Sequence, residues 1–175
     1  MNALQIGIIG SAGPEEYPFE RPANAMFATA EELGKVLAQR KCIVVTGGKG
    51  GIMEAAARGA KAYDGTTVAE SAGDKRGQSN PFIDIEIVTY DLGFRGPSQL
   101  VGMCDGLIAL GGGAGTLQEL CVAYRMRKPT VLLTGCGGWV DRLAALPWLD
   151  ERQLMRFEQA TTAQDAVKKI LYLIK

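Results

Sequence analysis

The chain has 175 residues, enough for one well-buried core and short for two, so we expect a single domain over residues 1–175. Hydrophobic residues make up 47% of the chain and charged residues 22%, a composition that excludes an intrinsically disordered protein. The 19 basic and 19 acidic residues balance, which argues against partners such as nucleic acid or an anionic membrane surface.

Missing residue types narrow the chemistry further. The chain has no histidine, so it cannot build Ser-His-Asp or Cys-His nucleophile systems or the usual histidine-containing zinc sites, and we expect no metal site. The four cysteines are irregularly spaced and include no C-x-x-C pair, which indicates free thiols. The opening residues lack the pattern of a signal peptide, and no segment reaches the roughly 18 apolar residues of a membrane span. We therefore expect a cytoplasmic protein.

The predicted elements alternate between strand and helix along the chain. In the first half we predict strand 4–9, helix 22–40, strand 42–46, helix 52–62 and strand 66–69. Residues 71–81 are polar and aperiodic, which predicts a mobile loop or lid. The second half is predicted to contain strand 83–90, helix 97–104, strand 107–110, helix 116–126, strand 129–133, helix 138–145 and helix 163–174.

This alternation predicts the fold. Helical segments between apolar strands imply right-handed crossovers, and hence an α/β, Rossmann-like, doubly wound fold with a mainly parallel sheet and helices on both faces. In such a sheet the strand-to-helix loops lie along one edge, where ligands bind. We therefore expect the loop that begins at Gly10 and Ser11 to meet the loops that follow the second strand and the Leu107 strand.

A glycine-rich segment follows the Leu107 strand and is the strongest local signal. Glycines allow a tight turn and a close approach of the backbone to a ligand, and the amides that open the next helix favour phosphate. The segment is not a Walker A loop, because no lysine follows its last glycine. The alternative is a connection that needs glycine only for packing. The predicted phosphate-binding residues here are Gly111, Gly112, Gly113, Ala114, Gly115 and Thr116.

A second glycine cluster lies between the second strand and its helix. It consists of Gly47, Gly48, Lys49, Gly50 and Gly51. Lys49 is suited to pairing with an anion; the alternative is a solvent-exposed lysine in a flexible turn. We expect the helices that begin near Ile52 and near Thr116 to present backbone amides to the same anion. The loop at Gly10 does not fit G-x-G-x-x-G, so NAD or FAD chemistry is not predicted.

Two charged residues are candidates for catalysis. Glu119 lies about one turn after Thr116 and should face the mouth of the loop, although a carboxylate there could simply interact with the helix dipole. Arg95, between two glycines, is placed to bind a phosphate through two hydrogen bonds, and a surface arginine is the alternative. Four aromatic residues could stack on a base, but they fit core or interface positions better: Tyr17, Phe19, Trp139 and Trp148.

The two glycine clusters together resemble motifs of the Lonely Guy superfamily. Members carry GGG-x-x-G-x-M after an early strand and PGG-x-GT-x-x-E later, and residues 47–53 and 112–119 are similar to these. Gly111 stands in place of the motif proline, Gln118 in place of a first glutamate, and the early loop is one residue shorter. With the run at 47–60, these differences resemble the branch that includes the molybdenum cofactor carrier proteins.

The resemblance implies a function that residue patterns alone do not. It favours a binding or carrier protein for a phosphorylated, nucleotide-like molecule such as molybdenum cofactor, with no cofactor required for chemistry. The alternative is a phosphoribohydrolase that cleaves a nucleoside 5′-monophosphate, with catalytic roles for Glu119 and Arg95, and a nucleotide-sensing scaffold is a third. The older label of lysine decarboxylase finds no support, because nothing indicates a pyridoxal phosphate lysine. The resemblance also implies a homo-oligomer, a dimer or tetramer.

Overall fold

A computed structural model describes residues 2–13, 23–90 and 96–175 of the chain. These residues form a seven-stranded sheet. The strands are β1 (Gln5–Gly10), β2 (Ile43–Thr46), β3 (Thr67–Ser71), β4 (Ile85–Val88), β5 (Gly106–Leu110), β6 (Thr130–Leu133) and β7 (Glu158–Ala160). The helices are α1 (Ala23–Gln39), α2 (Ile52–Lys61), α3 (Gly96–Met103), α4 (Ala114–Met126), α5 (Gly138–Ala144) and α6 (Ala163–Leu173).

Every strand pairing in the sheet is parallel, and the strand order is β4-β3-β2-β1-β5-β6-β7. Parallel neighbours require crossover helices, which cover both faces of the sheet and leave the central strands without a solvated side. Each residue of β5 is accordingly buried, as its continuous apolar sequence predicts. The doubly wound α/β fold predicted from the alternation of elements is confirmed.

Successive residues of a strand point to opposite faces, and this divides the core into two layers. Ile8 of β1 belongs to the layer that packs against α1, α2 and α6. Its neighbour Ile9 belongs to the layer formed with α3, α4 and α5. On the first face, α1 and α2 approach so closely that a Cβ on Gly34 would overlap the carbonyl oxygen of Ala56. This contact fixes the helix that begins beside the glycine loop.

The differences from the predicted elements have local causes. The strand predicted at 83–90 is shorter and covers Ile85–Val88; just before it, the Asp84 carboxylate accepts the amide of Thr67 at 2.9 Å. The three-residue β7 was not predicted, since its polar sequence carries no strand pattern. None of the four cysteines, all of which the structure describes, is part of a disulfide, as expected. Within the described part of the chain, the helices are too short or too polar to span a membrane.

Candidate functional site

The strand order reverses direction beside β1. From β1 the chain moves through β2 and β3 to β4 on one side, and it continues on the other side from β5. The connections after β1 and β5 therefore diverge and leave a crevice, where open α/β sheets bind ligands. A Cβ on Gly10, at the end of β1, would overlap the carbonyl oxygen of Leu110 on β5, so glycine is required at this close approach.

A cleft of about 530 Å³ opens at this crevice. It is bounded by residues from all three strand-to-helix loops that the sequence singled out. The predicted site residues that line it are Gly10, Gly47, Lys49, Gly113, Ala114, Gly115, Thr116 and Glu119. Ile9, Met53 and Leu100 add apolar surface to its wall, so the cleft offers both polar and apolar contacts to a ligand.

The amino-terminal end of α4 forms one side of the cleft. Gly113 caps the helix, and the first backbone bond runs from the amide of Leu117 to the Gly113 carbonyl at 3.1 Å. The amides of Ala114, Gly115 and Thr116 precede it, so helix geometry leaves them without an intrahelical acceptor. Together with the positive end of the helix dipole, three such amides make an anion-binding surface.

Gly111 and Gly112, the first two residues of the glycine-rich segment after β5, shape the backbone and do not contact the ligand space. Gly111 and Gly112 adopt positive φ angles of 63° and 92°, which favour glycine. Their carbonyl oxygens accept the amides of Val140 and Trp139, at 3.1 and 2.9 Å, and so hold the start of α5. Neither glycine lines the cleft. The turn they form directs the chain into α4, while the glycines that follow contact the open space.

The loop at 47–51 contains residues that line the cleft and a glycine that is required for close backbone packing. Gly47 and Lys49 face the cleft, whereas Gly51, with φ of 67°, packs so tightly that a Cβ would lie 2.5 Å from the Ser11 carbonyl oxygen. That same carbonyl accepts the amide of Ile52 at 3.0 Å. The amide of Ile52 is therefore bonded within the protein, and the amides of Met53 and Glu54 are the ones in this turn without an intrahelical acceptor, so that a shared anion at α2 and α4 stays a prediction. Ser11 itself is fully buried and donates its hydroxyl to Gly13.

The segment predicted as a mobile lid is fastened to the glycine loop. The Asn80 amide and side chain donate to the Gly48 carbonyl at 2.8 and 3.1 Å, and the side chain also donates to Lys49. At the same turn, the Glu86 carboxylate accepts the amide and hydroxyl of Ser79, at 3.0 and 2.7 Å. These bonds fix Gly48 from behind, so the loop supports the cleft wall formed by Lys49.

Glu119 lies on the cleft wall one turn into α4, as its spacing from Thr116 predicted. The pKa of its carboxyl is raised to about 8. Burial is the largest cause, the negative charge of Glu70 adds to the increase, and the positive charge of Lys49 opposes it. At neutral pH the group is therefore mostly protonated. A neutral carboxylic acid donates a hydrogen bond and does not repel an anion, so it is compatible with phosphate at the α4 amides.

Glu70 of β3 also lines the cleft and was missed by sequence reasoning. Only 4% of its surface is exposed, and its Oε1 accepts the hydroxyl of Thr89 at 2.5 Å. The signal was available, because a carboxylate inside a five-residue strand that is buried throughout is rarely there for packing. The predicted strand ends one residue earlier, at Ala69, and so does not include Glu70.

Comparison with known proteins agrees with this architecture. The model of the SLOG cluster4 family matches residues 3–169. The chain belongs to this family. The resemblance to the Lonely Guy superfamily expected from the glycine motifs is thereby confirmed, since SLOG denotes that wider group.

Solved structures similar to this SLOG cluster4 protein share its whole length. The X-ray structure of TM1055 has a TM-score of 0.87 and 29% identity, covering 97% of this chain and 99% of that one. The molybdenum cofactor binding protein of Rippkaea orientalis gives 0.83 and 26%, covering 100% and 99%. The molybdenum cofactor carrier protein of Chlamydomonas reinhardtii gives 0.76 and 28%, covering 98% and 99%.

Some predicted residues of this SLOG cluster4 protein do not contribute to the described cleft. Arg95, Tyr17 and Phe19 lie outside the described residues. Trp139 and Trp148 lie away from the cleft, where the guanidinium groups of Arg142 and Arg156 stack over their rings at 5.1 and 4.3 Å. Among residues 2–13, 23–90 and 96–175, no group of three or more cysteine or acidic side chains is arranged to hold a metal ion.

Proposed function

We propose that this SLOG cluster4 protein binds a phosphorylated small molecule in the cleft beside α4, and that its ligand is molybdenum cofactor, held for transfer. The observation that carries the proposal is the group of amides at Ala114, Gly115 and Thr116 at the switch point of the sheet, with Lys49 on the same cleft. The family supports it, because two full-length structural relatives are named as binding or carrying molybdenum cofactor.

The electrostatics of the cleft support the same conclusion. A phosphate beside an ionised glutamate would be repelled, but the raised pKa of Glu119 keeps that group mostly neutral near pH 7. A bound phosphate would raise this pKa still more, since a second negative charge disfavours ionisation. Near pH 8, where the group is about half ionised in the free protein, ligand binding should therefore be accompanied by proton uptake, and it should weaken as the pH rises above about 8.

Gly115 offers a substitution that separates binding from folding. A Cβ at this position meets no atom within 4 Å, and its φ is not in the left-handed region. Aspartate in the first turn of a helix is favoured by the dipole, so Gly115→Asp should fold at least as well as the native protein. It should nevertheless repel phosphate: unit charges about 5 Å apart at an effective dielectric constant of roughly 20 to 80 interact by about 1 to 3 kcal/mol.

The test has two measurements. Protein expressed in a host that makes molybdenum cofactor is purified and oxidised, and the fluorescent pterin released is quantified. Titration calorimetry with a nucleoside monophosphate then gives an affinity for the phosphate site. Gly115→Asp should lose the pterin and weaken nucleotide binding about 5-fold to 150-fold. The control for an added charge is Gly102→Asp, since Gly102 is an exposed helical glycine with free space outside the cleft; it lies in the last turn of α3, where the dipole disfavours aspartate, so only its binding is compared.

Retention of pterin and of nucleotide affinity by Gly115→Asp would contradict the proposal. So would an equal loss in Gly102→Asp, because that would show a general effect of charge. Pterin absent from native protein, together with unchanged nucleotide affinity in Gly115→Asp, would show that the cleft is not a phosphate site.

One observation favours a second function, hydrolysis of the N-glycosidic bond of a nucleoside 5′-monophosphate. The Glu119 carboxyl lies on the cleft wall with a pKa of about 8, close to the pH at which general acid or base catalysis is most efficient. We infer that turnover, if present, depends on this group. Release of free adenine from adenosine monophosphate by native protein, and its loss in Glu119→Gln, would support the hydrolase. If native protein releases no adenine, the hydrolase is excluded and the carrier function is favoured.

We also propose that the protein forms a homo-oligomer. Ile85 and Ile87 of β4 are 50% and 40% exposed at an edge of the sheet, where the unpaired backbone groups can form hydrogen bonds with a strand of another protomer. Sedimentation velocity should show a dimer or larger species, and Ile87→Lys should shift it toward monomer. A native protein that sediments as a monomer at micromolar concentration would exclude this.

A further inference from the structure

Glu70 is a buried charge without an obvious structural purpose. It is 4% exposed, and within the described residues no lysine or arginine lies within 4.0 Å of its carboxylate. A carboxylate buried without a paired cation is destabilising, so packing does not account for an acidic residue at this position. Its neighbours along β3, Val68 and Ala69, are apolar and buried, as expected for this strand.

The surroundings of Glu70 hold the carboxylate in one position and leave part of it available. The Thr89 hydroxyl donates to Oε1 at 2.5 Å, and this is the hydrogen bond that the described residues make to the carboxylate. Glu70 points to the same face of the sheet as Val68, the face covered by α3, and it lines the cleft. The side chain is therefore a fixed acceptor that faces the ligand space.

From this arrangement we infer that Glu70 recognises a pair of N–H donors on the ring of the ligand, the edge of a 2-amino-4-oxopyrimidine that pterins and guanine share. The inference rests on the proposed function, and it concerns the ring of the ligand, which the phosphate site does not contact. A carboxylate accepts two parallel N–H bonds from such an edge, one from the ring nitrogen and one from the amino group. Adenine has no equivalent pair.

The distances within the sheet suit a ligand that extends between the two sites. β3 and β5 are separated by three strand intervals, which at about 4.8 Å each is about 14 Å. A ligand with its phosphate at the α4 amides and its ring at Glu70 would extend over this distance, shortened by the length of the Glu70 side chain. Met53 and Leu100 lie on the same cleft and offer apolar surface to the faces of the ring.

Three nucleotides provide the probe. Guanosine monophosphate carries both donors, inosine monophosphate keeps the ring N–H but lacks the amino group, and adenosine monophosphate lacks the pair. Native protein should bind them in that order of affinity. Glu70→Gln should weaken guanosine monophosphate about tenfold to a hundredfold, since the glutamine amide meets one donor with another donor. It should leave the affinity for adenosine monophosphate unchanged, because adenine has no pair of N–H donors to lose.

Two further variants make the test specific. Glu158→Gln removes the same charge from an exposed position on β7, outside the cleft, and should preserve the order of affinities. Thr89→Val removes the hydroxyl that holds Glu70 and should reduce the ratio of guanosine to adenosine affinity without changing any ring contact. All titrations are repeated with a chelator, which should have no effect.

The results that would overturn the inference differ from those that would overturn the phosphate site. Equal affinities for the three nucleotides in native protein, or an equal loss for all three in Glu70→Gln, would exclude recognition of the ring by Glu70. Loss of guanosine binding on chelation would mean that the carboxylate acts through a divalent cation, which also contradicts it. If Gly115→Asp leaves every affinity unchanged, the phosphate site itself fails.

Discussion

Replacing Glu119 by glutamine should stabilise the protein, and the gain should grow with pH. In the folded protein the pKa of this carboxyl is raised from 4.5 to about 8, mainly by burial. Between these two values the folded state holds a proton that the unfolded chain has already released, so stability is lost as the pH rises from about 4.5 to about 8. Glutamine has the same shape and cannot ionise, which removes the whole effect.

The size follows from the shift. One pKa unit corresponds to about 1.36 kcal/mol, so the loss reaches up to about 3 kcal/mol at pH 7 and up to about 5 kcal/mol above pH 8.5. At pH 4.5 it is below about 0.5 kcal/mol. For a chain of this length, each kcal/mol changes the melting temperature by about 2 to 4 °C. Glu119→Gln should therefore melt several degrees above native protein at pH 8.5 and at nearly the same temperature at pH 4.5.

Urea unfolding of native protein and Glu119→Gln, followed by circular dichroism from pH 4.5 to 9, measures the difference directly. Glu158→Gln serves as the control for loss of one negative charge, since Glu158 is exposed on β7. Parallel stability curves for native protein and Glu119→Gln over this range would refute the reasoning. A destabilised Glu119→Gln at pH 8.5 would do the same, because it would show that the charged form is favoured in the fold.

Other predictions concern packing and thiol chemistry. Gly10→Ala should destabilise the protein by about 1 to 3 kcal/mol, because the new methyl group meets a backbone carbonyl of β5, and an unchanged melting temperature would contradict this. Tyr124→Phe should cost about 1.5 to 3 kcal/mol in urea unfolding, because the hydroxyl donates to the Asp150 carboxylate at 2.6 Å and accepts the amide of Leu154 at 3.0 Å, and the loss should be smaller in an Asp150→Asn background, where the acceptor is uncharged. Burial raises the pKa of the Cys104 thiol to about 12, so mass spectrometry after brief alkylation at pH 8 should find Cys121, which is partly exposed, modified first and Cys104 only after unfolding.

The local pattern of the sequence was enough for the fold, because helix and strand periodicity are properties of neighbouring residues. Apolar strands alternating with helical segments predicted a parallel, doubly wound sheet, and that sheet is present. The edge strand β7 escaped this reasoning, since three polar residues carry no periodic signal. The start of α4 was placed two residues late, at Thr116 rather than Ala114, because glycine is a poor helix former away from an amino-terminal turn.

The glycine clusters show where local pattern stops being informative. Sequence identified both clusters, but it could not divide glycines that face the cleft, such as Gly115, from glycines that serve the backbone, such as Gly51. That division depends on which chain segment passes nearby, and the segment here is the Ser11 carbonyl, about forty residues away in the chain.

By itself the sequence determined the order of strands and helices, the absence of histidine chemistry, and the glycine loops that follow the strands. Only the tertiary structure decided that Glu70 and Glu119 face one cleft and that the second of them holds its proton near neutral pH. The physical reason is that burial and the field of one carboxylate on another depend on distances across the sheet, between residues far apart in the chain.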